Sequence, residues 1–422
     1  MGMRASGIRL RGTLVTLAVV SAVIVPSHGA GATSARSSSP VAAYAVAPTA
    51  PTAPTVLGAD GRVRESRGQS SGSALWTWGS NWSGQLGNGT TIDLPFPVRV
   101  GASTNWADVA GGSNHACATR TSGALWCWGS NGAGQLGDGT TTGRLAPVHI
   151  GSSTSWGDVS AGFKHTCATR TSGALWCWGS NDYGQLGDGT MTERHAPERI
   201  GASTSWADVA TGHGYTCATR ESGALWCWGQ NDYGQLGDGT TTDRHAPKRI
   251  GTSTGWASVS AGRSHTCATR RSGALWCWGG NAWGQLGDGT TTDRLAPKRI
   301  GGSSSWAAVS AGKFRHTCAM RTSGALWCWG DNEEGKLGDG TTTSRLSPVR
   351  VGSSTSWVEV STGWDHTCAR RSSGTLWCWG DNDEGELGDS TTTERHSPKR
   401  VESSTLWTGL SVGDGFTVAL NG

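Results

Sequence analysis

Twelve cysteines fall into six pairs with nine residues between partners: Cys117 with Cys127, Cys167 with Cys177, Cys217 with Cys227, Cys267 with Cys277, Cys318 with Cys328, and Cys368 with Cys378. Thiols can cross-link, hold zinc or act as nucleophiles. The spacing does not resemble the short C-x₂₋₄-C step of zinc sites. If Thr121-Ser122-Gly123 is a three-residue hairpin loop with glycine at positive φ, Arg120 pairs with Ala124 and Cys117 falls opposite Cys127. A non-hydrogen-bonded antiparallel pair brings Cα atoms to about 4.5 Å, within reach of a disulfide. Each bridge would close a loop of about 11 residues and contribute about 2–3 kcal/mol.

Other reactive residue types recur too often to form one catalytic centre. His115, His165, His265, His316 and His366 share one repeat position, taken by Tyr215 and Phe416 elsewhere. Five copies with two aromatic substitutes point to packing. Asp138, Asp188, Asp238, Asp288, Asp339 and Asp389 stand in turns, each six residues before an arginine. Asn88 and Leu94 replace both partners together, which predicts an Asp–Arg pair within each unit. Calcium at these turns lacks the clustered carboxylates it needs. A carboxylate pair for glycoside cleavage among Glu333, Glu334, Asp383 and Glu384 is the one enzymatic alternative. No zinc-protease, phosphate-loop or dinucleotide motif is present. Gly68-Gln69-Ser70-Ser71-Gly72 matches a nucleophile elbow by chance, without the strand and helix that motif requires. No catalytic residue, metal or cofactor is assigned.

The elements that position these residues follow from a repeat. L-W-x-W-G begins at Leu75, Leu125, Leu175, Leu225, Leu275, Leu326 and Leu376. The period is 50 residues, with one extra residue in the segment Gly312 to His316. With a lone tryptophan at 106, 156, 206, 256, 306, 357 and 407, this motif accounts for 21 of the 24 tryptophans. One unit reads as four strands: Trp156 to Ser160, Thr166 to Arg170, Ala174 to Trp178 and Pro197 to Ile200, with Trp156, Asp158 and Ser160 on one face. Sixty-six glycines punctuate the turns. The fold class expected is all-β, a seven-bladed β-propeller of four-stranded blades. Thr77 and Val418 occupy the two missing cysteine positions. That predicts a last blade closed by pairing the N- and C-terminal strands, with these two residues opposite each other.

Residues 1–32 read as a Sec-type signal peptide: Arg4, Arg9 and Arg11 precede an apolar run, Thr13 to Val25, and a small-residue site at Ala30-Gly31-Ala32. That run is too short to span a bilayer comfortably. Residues 33–72 read as an Ala/Pro/Ser/Thr-rich linker, and 73–422 as the propeller. The localisation expected is secreted or periplasmic, a compartment that permits disulfides. A formal charge of +4 gives no reason to expect nucleic acid or a membrane surface as partner.

The run Trp178–Thr190 (W-G-x-N-x-x-G-Q-L-G-D-G-T) and the segment A-G-x-x-H-T-C-A resemble the repeat of the regulator of chromosome condensation family over residues 73–422. The resemblance implies a seven-bladed propeller whose loops dock proteins. Guanine-nucleotide exchange or chromatin binding by family descent is one alternative function, although no exchange motif matches residue by residue.

Function is expected where the repeats disagree. Two loop sets vary, and in a closed ring the loops of the first come to one face. One holds Trp82-Ser83, Gly132-Ala133, Asp182-Tyr183, Asp232-Tyr233, Ala282-Trp283, Glu333-Glu334 and Asp383-Glu384; the other holds Phe163-Lys164, His213-Gly214, Arg263-Ser264, Phe314-Arg315 and Trp364-Asp365. The candidate partner-binding residues are Trp82, Tyr183, Tyr233, Trp283, Glu333, Glu334, Trp364, Asp383 and Glu384. The function expected is a monomeric, non-enzymatic binding propeller for a protein or glycan. The alternatives are a hydrolase or lyase using the acidic loops, and loop drift without selection.

Overall fold

The computed structural model describes residues 56–57, 63–64, 72–404 and 406–422. The signal-peptide reading and most of the linker lie outside the described residues. Within the linker stretch, Val56–Leu57 pairs antiparallel with Val63–Arg64.

The other described strands form seven four-stranded antiparallel sheets, the blades of a propeller. Blades 1 to 6 are continuous: Trp106–His149, Trp156–Arg199, Trp206–Arg249, Trp256–Arg299, Trp306–Arg350 and Trp357–Arg400. Blade 7 is composite, with strand order Trp407–Val412, Phe416–Asn421, Ala74–Gly79, Leu94–Arg99. Its central ladder pairs Thr77 with Val418, as the missing cysteines predict.

Local chemistry sets each hairpin. Arg120 N donates to Ala124 O at 2.8 Å and Gly123 takes φ +79°, so the three-residue turn places Cys117 opposite Cys127. All six cysteine pairs are bridged, with Cα–Cα 4.1 Å in each.

Two expectations need correction. The innermost strand carries a bulge: Ala168 pairs with Val159 but Arg170 with Trp156, so Gly157 and Asp158 together oppose Thr169. The extra residue re-aims the side chains. Trp156 therefore joins Val159 and Ala161 in the core between blades, not Asp158 and Ser160. The outermost strand runs Arg194–Arg199, so Pro197 sits inside it. A register shift there and the free outer edge remove the need for its amide.

The blades pack through tryptophan. The second tryptophan of L-W-x-W-G is fully buried in every blade, and its indole reaches the preceding loop, as in Trp178 Nε1 to Gln135 O at 2.9 Å. The lone tryptophan meets both indoles of its blade at 5.8–6.4 Å in blade 2, and Arg170 caps it at 3.5 Å. The recurring histidines link neighbours: Thr166 Oγ1 donates to Gln135 O at 2.8 Å and so accepts from His115 Nε2 at 2.9 Å. That places a hydrogen on Nε2, and burial, then Lys313, lowers the imidazole pKa to about 3, which keeps the ring neutral. Packing is thus the role of this position. Where the last blade has Phe416, blade 1 has Ala116 in place of threonine, so donor and acceptor are missing together.

Candidate binding face

Both variable loop sets emerge from one face of the ring, side by side. Ser180 N donates to Lys164 O at 2.8 Å, and the same contact recurs as Asp331 N to Arg315 O at 3.0 Å. A buried asparagine organises each longer loop: Asn181 Nδ2 donates to Thr190 O and Thr192 O at 3.1 Å, while its Oδ1 accepts from Leu186 N at 3.0 Å. The expected Asp–Arg pairs brace the same loops at 2.5–2.7 Å in blades 1 to 6. The scaffold is fixed, so only the loop tips vary.

The candidate residues divide into three groups. Trp82 (63 %), Tyr233 (50 %) and Tyr183 (39 %) stand exposed on blades 7, 3 and 2. Trp283 and Trp364 are half-buried and belong to one cluster: Phe314 stacks on Trp364 at 4.5 Å, and the Arg315 guanidinium lies 4.7 Å over Trp283. Glu333, Asp383 and Glu384 are exposed on blades 5 and 6, with Glu334 half-buried beside them. Thus Trp82, Trp283 and Trp364, the three tryptophans outside the repeat frame, all lie on this face.

A buried polar hub beneath the acidic loops is the feature that sequence reasoning passed over. In five blades a glutamine fills it; Gln185 Oε1 accepts from Tyr183 N at 2.9 Å and Nε2 donates to Ser180 Oγ at 3.0 Å. Blade 5 substitutes Lys336, fully buried, whose ammonium meets Asp331 at 2.8 Å and Asp365 at 2.5 Å. Blade 6 substitutes Glu386, which accepts from Glu384 N at 3.0 Å. Burial, then Asp381, pushes the Glu386 carboxyl up to about 9, so it is neutral at pH 7 and regains the hydrogen that an amide would supply. The signal was present: the position held by Ser80, Ser130, Ser180, Gln230 and Gly280 becomes Asp331 or Asp381 in the same two blades that lose the glutamine. Above this hub, burial and the Glu394 carboxyl raise Glu334 to about 7.

The shorter loops ring the central axis. Their backbones are joined around it: Ser113 N to Gly162 O at 3.0 Å, Lys313 N to Gly363 O at 2.9 Å, and Trp364 N to Asp414 O at 3.3 Å. Phe163 stacks on His213 at 4.0 Å. The inserted residue of blade 5 lets Lys313 cross the axis to the carbonyls of Gly111 and Ala161, in blades 1 and 2. Around this bridge lies a shallow recess lined by Phe163, His213, Arg263, Trp364 and Asp414. Beneath it the channel wall is a belt of hydroxyls, such as Ser160 to Thr211 at 2.9 Å and Ser310 to Thr362 at 2.7 Å. Among the described residues no group of three His, Cys, Asp or Glu side chains is placed to hold a metal ion, and no helix is long and apolar enough to cross a membrane.

Comparison with known proteins agrees with this architecture. No curated protein matches the chain. Solved structures do. Human WBSCR16 superposes with TM-score 0.75 at 20 % identity, covering 83 % of this chain and 98 % of its own. Prp20p from Saccharomyces cerevisiae, described with its binding to Gsp1p and histones, gives TM-score 0.75 at 19 % identity and covers 83 % of this chain and 92 % of its own. Yeast RCC1 (Prp20) with bound Kap60 gives TM-score 0.74 at 19 % identity, covering 83 % and 89 %. At such identities the likeness shows the fold alone. The RCC1-like domain matches residues 69–314, and the regulator of chromosome condensation (RCC1) repeat matches 323–370 and 373–420. The chain belongs to the regulator of chromosome condensation (RCC1) repeat family.

Proposed function

We propose that the mature chain is an exported binding propeller that engages a protein, or less favourably a glycan, through its variable loop face and performs no chemistry of its own. One observation carries this reading. The three tryptophans that the repeat does not require all lie on this face, and large aromatic side chains there are the residue types that anchor interfaces. Six disulfides support export, because such bonds persist in oxidising compartments. The relative Prp20p, described as binding Gsp1p and histones, supports a protein as the partner class.

The test is affinity capture from culture supernatant, comparing the mature protein with its Trp82→Ala/Trp283→Ala variant. A partner held by this face is retained by the parent and lost from the variant, with affinity falling by about 10- to 100-fold. Equal capture by both proteins would remove the face from the binding function.

A further inference from the structure

The two ends of the propeller differ in charge, and the formal net charge of +4 averages over them. The end opposite the variable loops holds the hairpin turns, such as Thr171 to Gly173, and the links between blades, such as Gly201 to Ser205. Outer strands run toward this end. In blade 3 Ile250 is buried, so alternation turns Arg249 outward, and Gly251 takes φ +62° to begin the link. The arginine folds over that link, and its Nη2 donates to Thr252 O at 2.9 Å. Arg99, Arg199, Arg299, Arg350 and Arg400 make the same contact at 2.7–3.0 Å. One bond fixes each guanidinium and leaves donors over, since the group carries five.

A second ring of arginines lies nearer the axis. Arg120 and its counterparts in blades 2 to 6 sit 3.4–4.5 Å over the lone tryptophans. Lys248, Arg271, Lys298 and Lys399 add to the outer ring, all of them exposed. Against these cations stand the exposed carboxylates Glu198, Glu221 and Glu402; Asp108, Asp158, Asp208 and Glu359 lie further in, on the innermost strands. Among the described residues, none of the outer arginines and added cations forms an ion pair with a carboxylate. The charge is densest on blades 3 and 4, which carry Lys248-Arg249 and Lys298-Arg299. There Arg271 of blade 4 reaches the turn of blade 3, donating to Glu221 O at 3.1 Å.

Such a surface recognises anions by field and by the guanidinium fork. Its spread over several blades calls for an extended polymer rather than a small anion. The tryptophans of this end are buried or half-buried among the arginines, so no ring stands free to stack on a base. Leu406 is the one large apolar side chain exposed here among the described residues, too little to enter a bilayer. What remains is a polymer read by its anionic groups alone. In the oxidising compartment of an exported chain, that polymer is an acidic polysaccharide.

We infer that the turn end of the propeller, centred on blades 3 and 4, holds an acidic polysaccharide and leaves the loop face free for a protein partner. The choice of polysaccharide rests on the export reading above; the loop face is not needed for it.

The experiment measures binding of a heparin dodecasaccharide to the full mature chain, with duplex DNA of equal charge and phosphatidylglycerol–phosphatidylcholine vesicles as rival ligands. It is repeated on Lys248→Gln/Arg249→Gln/Lys298→Gln/Arg299→Gln, on Arg249→Lys/Arg299→Lys and on Trp82→Ala/Trp283→Ala, each checked for parental thermal unfolding. The parent should bind heparin with an affinity that falls steeply as salt is added. At physiological salt the glutamine variant should bind at least about tenfold more weakly, and the lysine variant should fall between the two. The tryptophan variant should match the parent. No binding by the parent, or equal binding by the glutamine variant, would overturn the inference. Loss in the tryptophan variant would move the site to the loop face and overturn it as well. Duplex DNA or vesicles held more tightly than heparin would overturn the choice of polysaccharide. Because the variants separate the two ends, the protein-binding face is judged by affinity capture alone.

Discussion

Blade 7 and blades 1 to 6 present the same two central strands, joined in different ways. In blades 1 to 6 those strands are consecutive in sequence and cross-linked at one register position. In blade 7 they come from opposite ends of the chain, and the same position holds Thr77 against Val418. There the strands are held by their ladder alone, from Ala74–Asn421 to Gly79–Phe416, and Thr77 Oγ1 donates to Leu86 O at 2.8 Å. The junction with blade 1 is weaker as well, since Phe416 and Ala116 lack the histidine–threonine bond found at five other junctions. A bridge inside a hairpin constrains only a short loop, whereas one at the closure would constrain almost the whole propeller. The ring is therefore most heavily stapled where chain connectivity already holds it, and least where it does not. The closure is the seam at which unfolding should begin.

Three experiments break or sharpen that contrast. The largest effect is expected from Thr77→Cys/Val418→Cys. Oxidised, this variant should gain up to about 5 kcal/mol over its reduced form in denaturant unfolding. Failure of the bond to form in folded protein would sink the closure. Removing one ordinary bridge, as Cys267→Ala/Cys277→Ala, should cost about 2–3 kcal/mol and leave a folded ring. A cost equal to the gain at the closure would erase the distinction between seam and staple. Smallest is the restored junction Ala116→Thr/Phe416→His, expected to gain about 1 kcal/mol. Phe416→His alone should lose stability because its imidazole is buried without an acceptor. If the single and double variants unfold alike, the histidine–threonine bond is not what joins neighbouring blades.

Much of this architecture was readable because it is local and repeated. The Thr121-Ser122-Gly123 turn chemistry fixes which cysteines face each other, and the shared absence at Thr77 and Val418 locates the closure. The inner-strand bulge at Gly157 and Asp158 was not readable, since an alternating pattern gives no sign of one extra residue. Nor was the placement of Pro197 inside an edge strand. At the binding face the candidate aromatics and acids were legible as departures from the repeat. Their grouping was not. The Lys336 ion pairs join the hub of blade 5 to Asp365 of blade 6, and the stacking of Phe314 on Trp364 likewise crosses between blades. Such contacts depend on how blades meet, which spacing along the chain does not encode.

The side chain of Lys313 has one last consequence. Anchored in blade 5 and bonded to carbonyls of blades 1 and 2, it bars the axis. While that bar holds, nothing the width of a polypeptide can thread through the hole. The molecule behaves at that end as a blind well, and whatever arrives must stop at the surface and be read there.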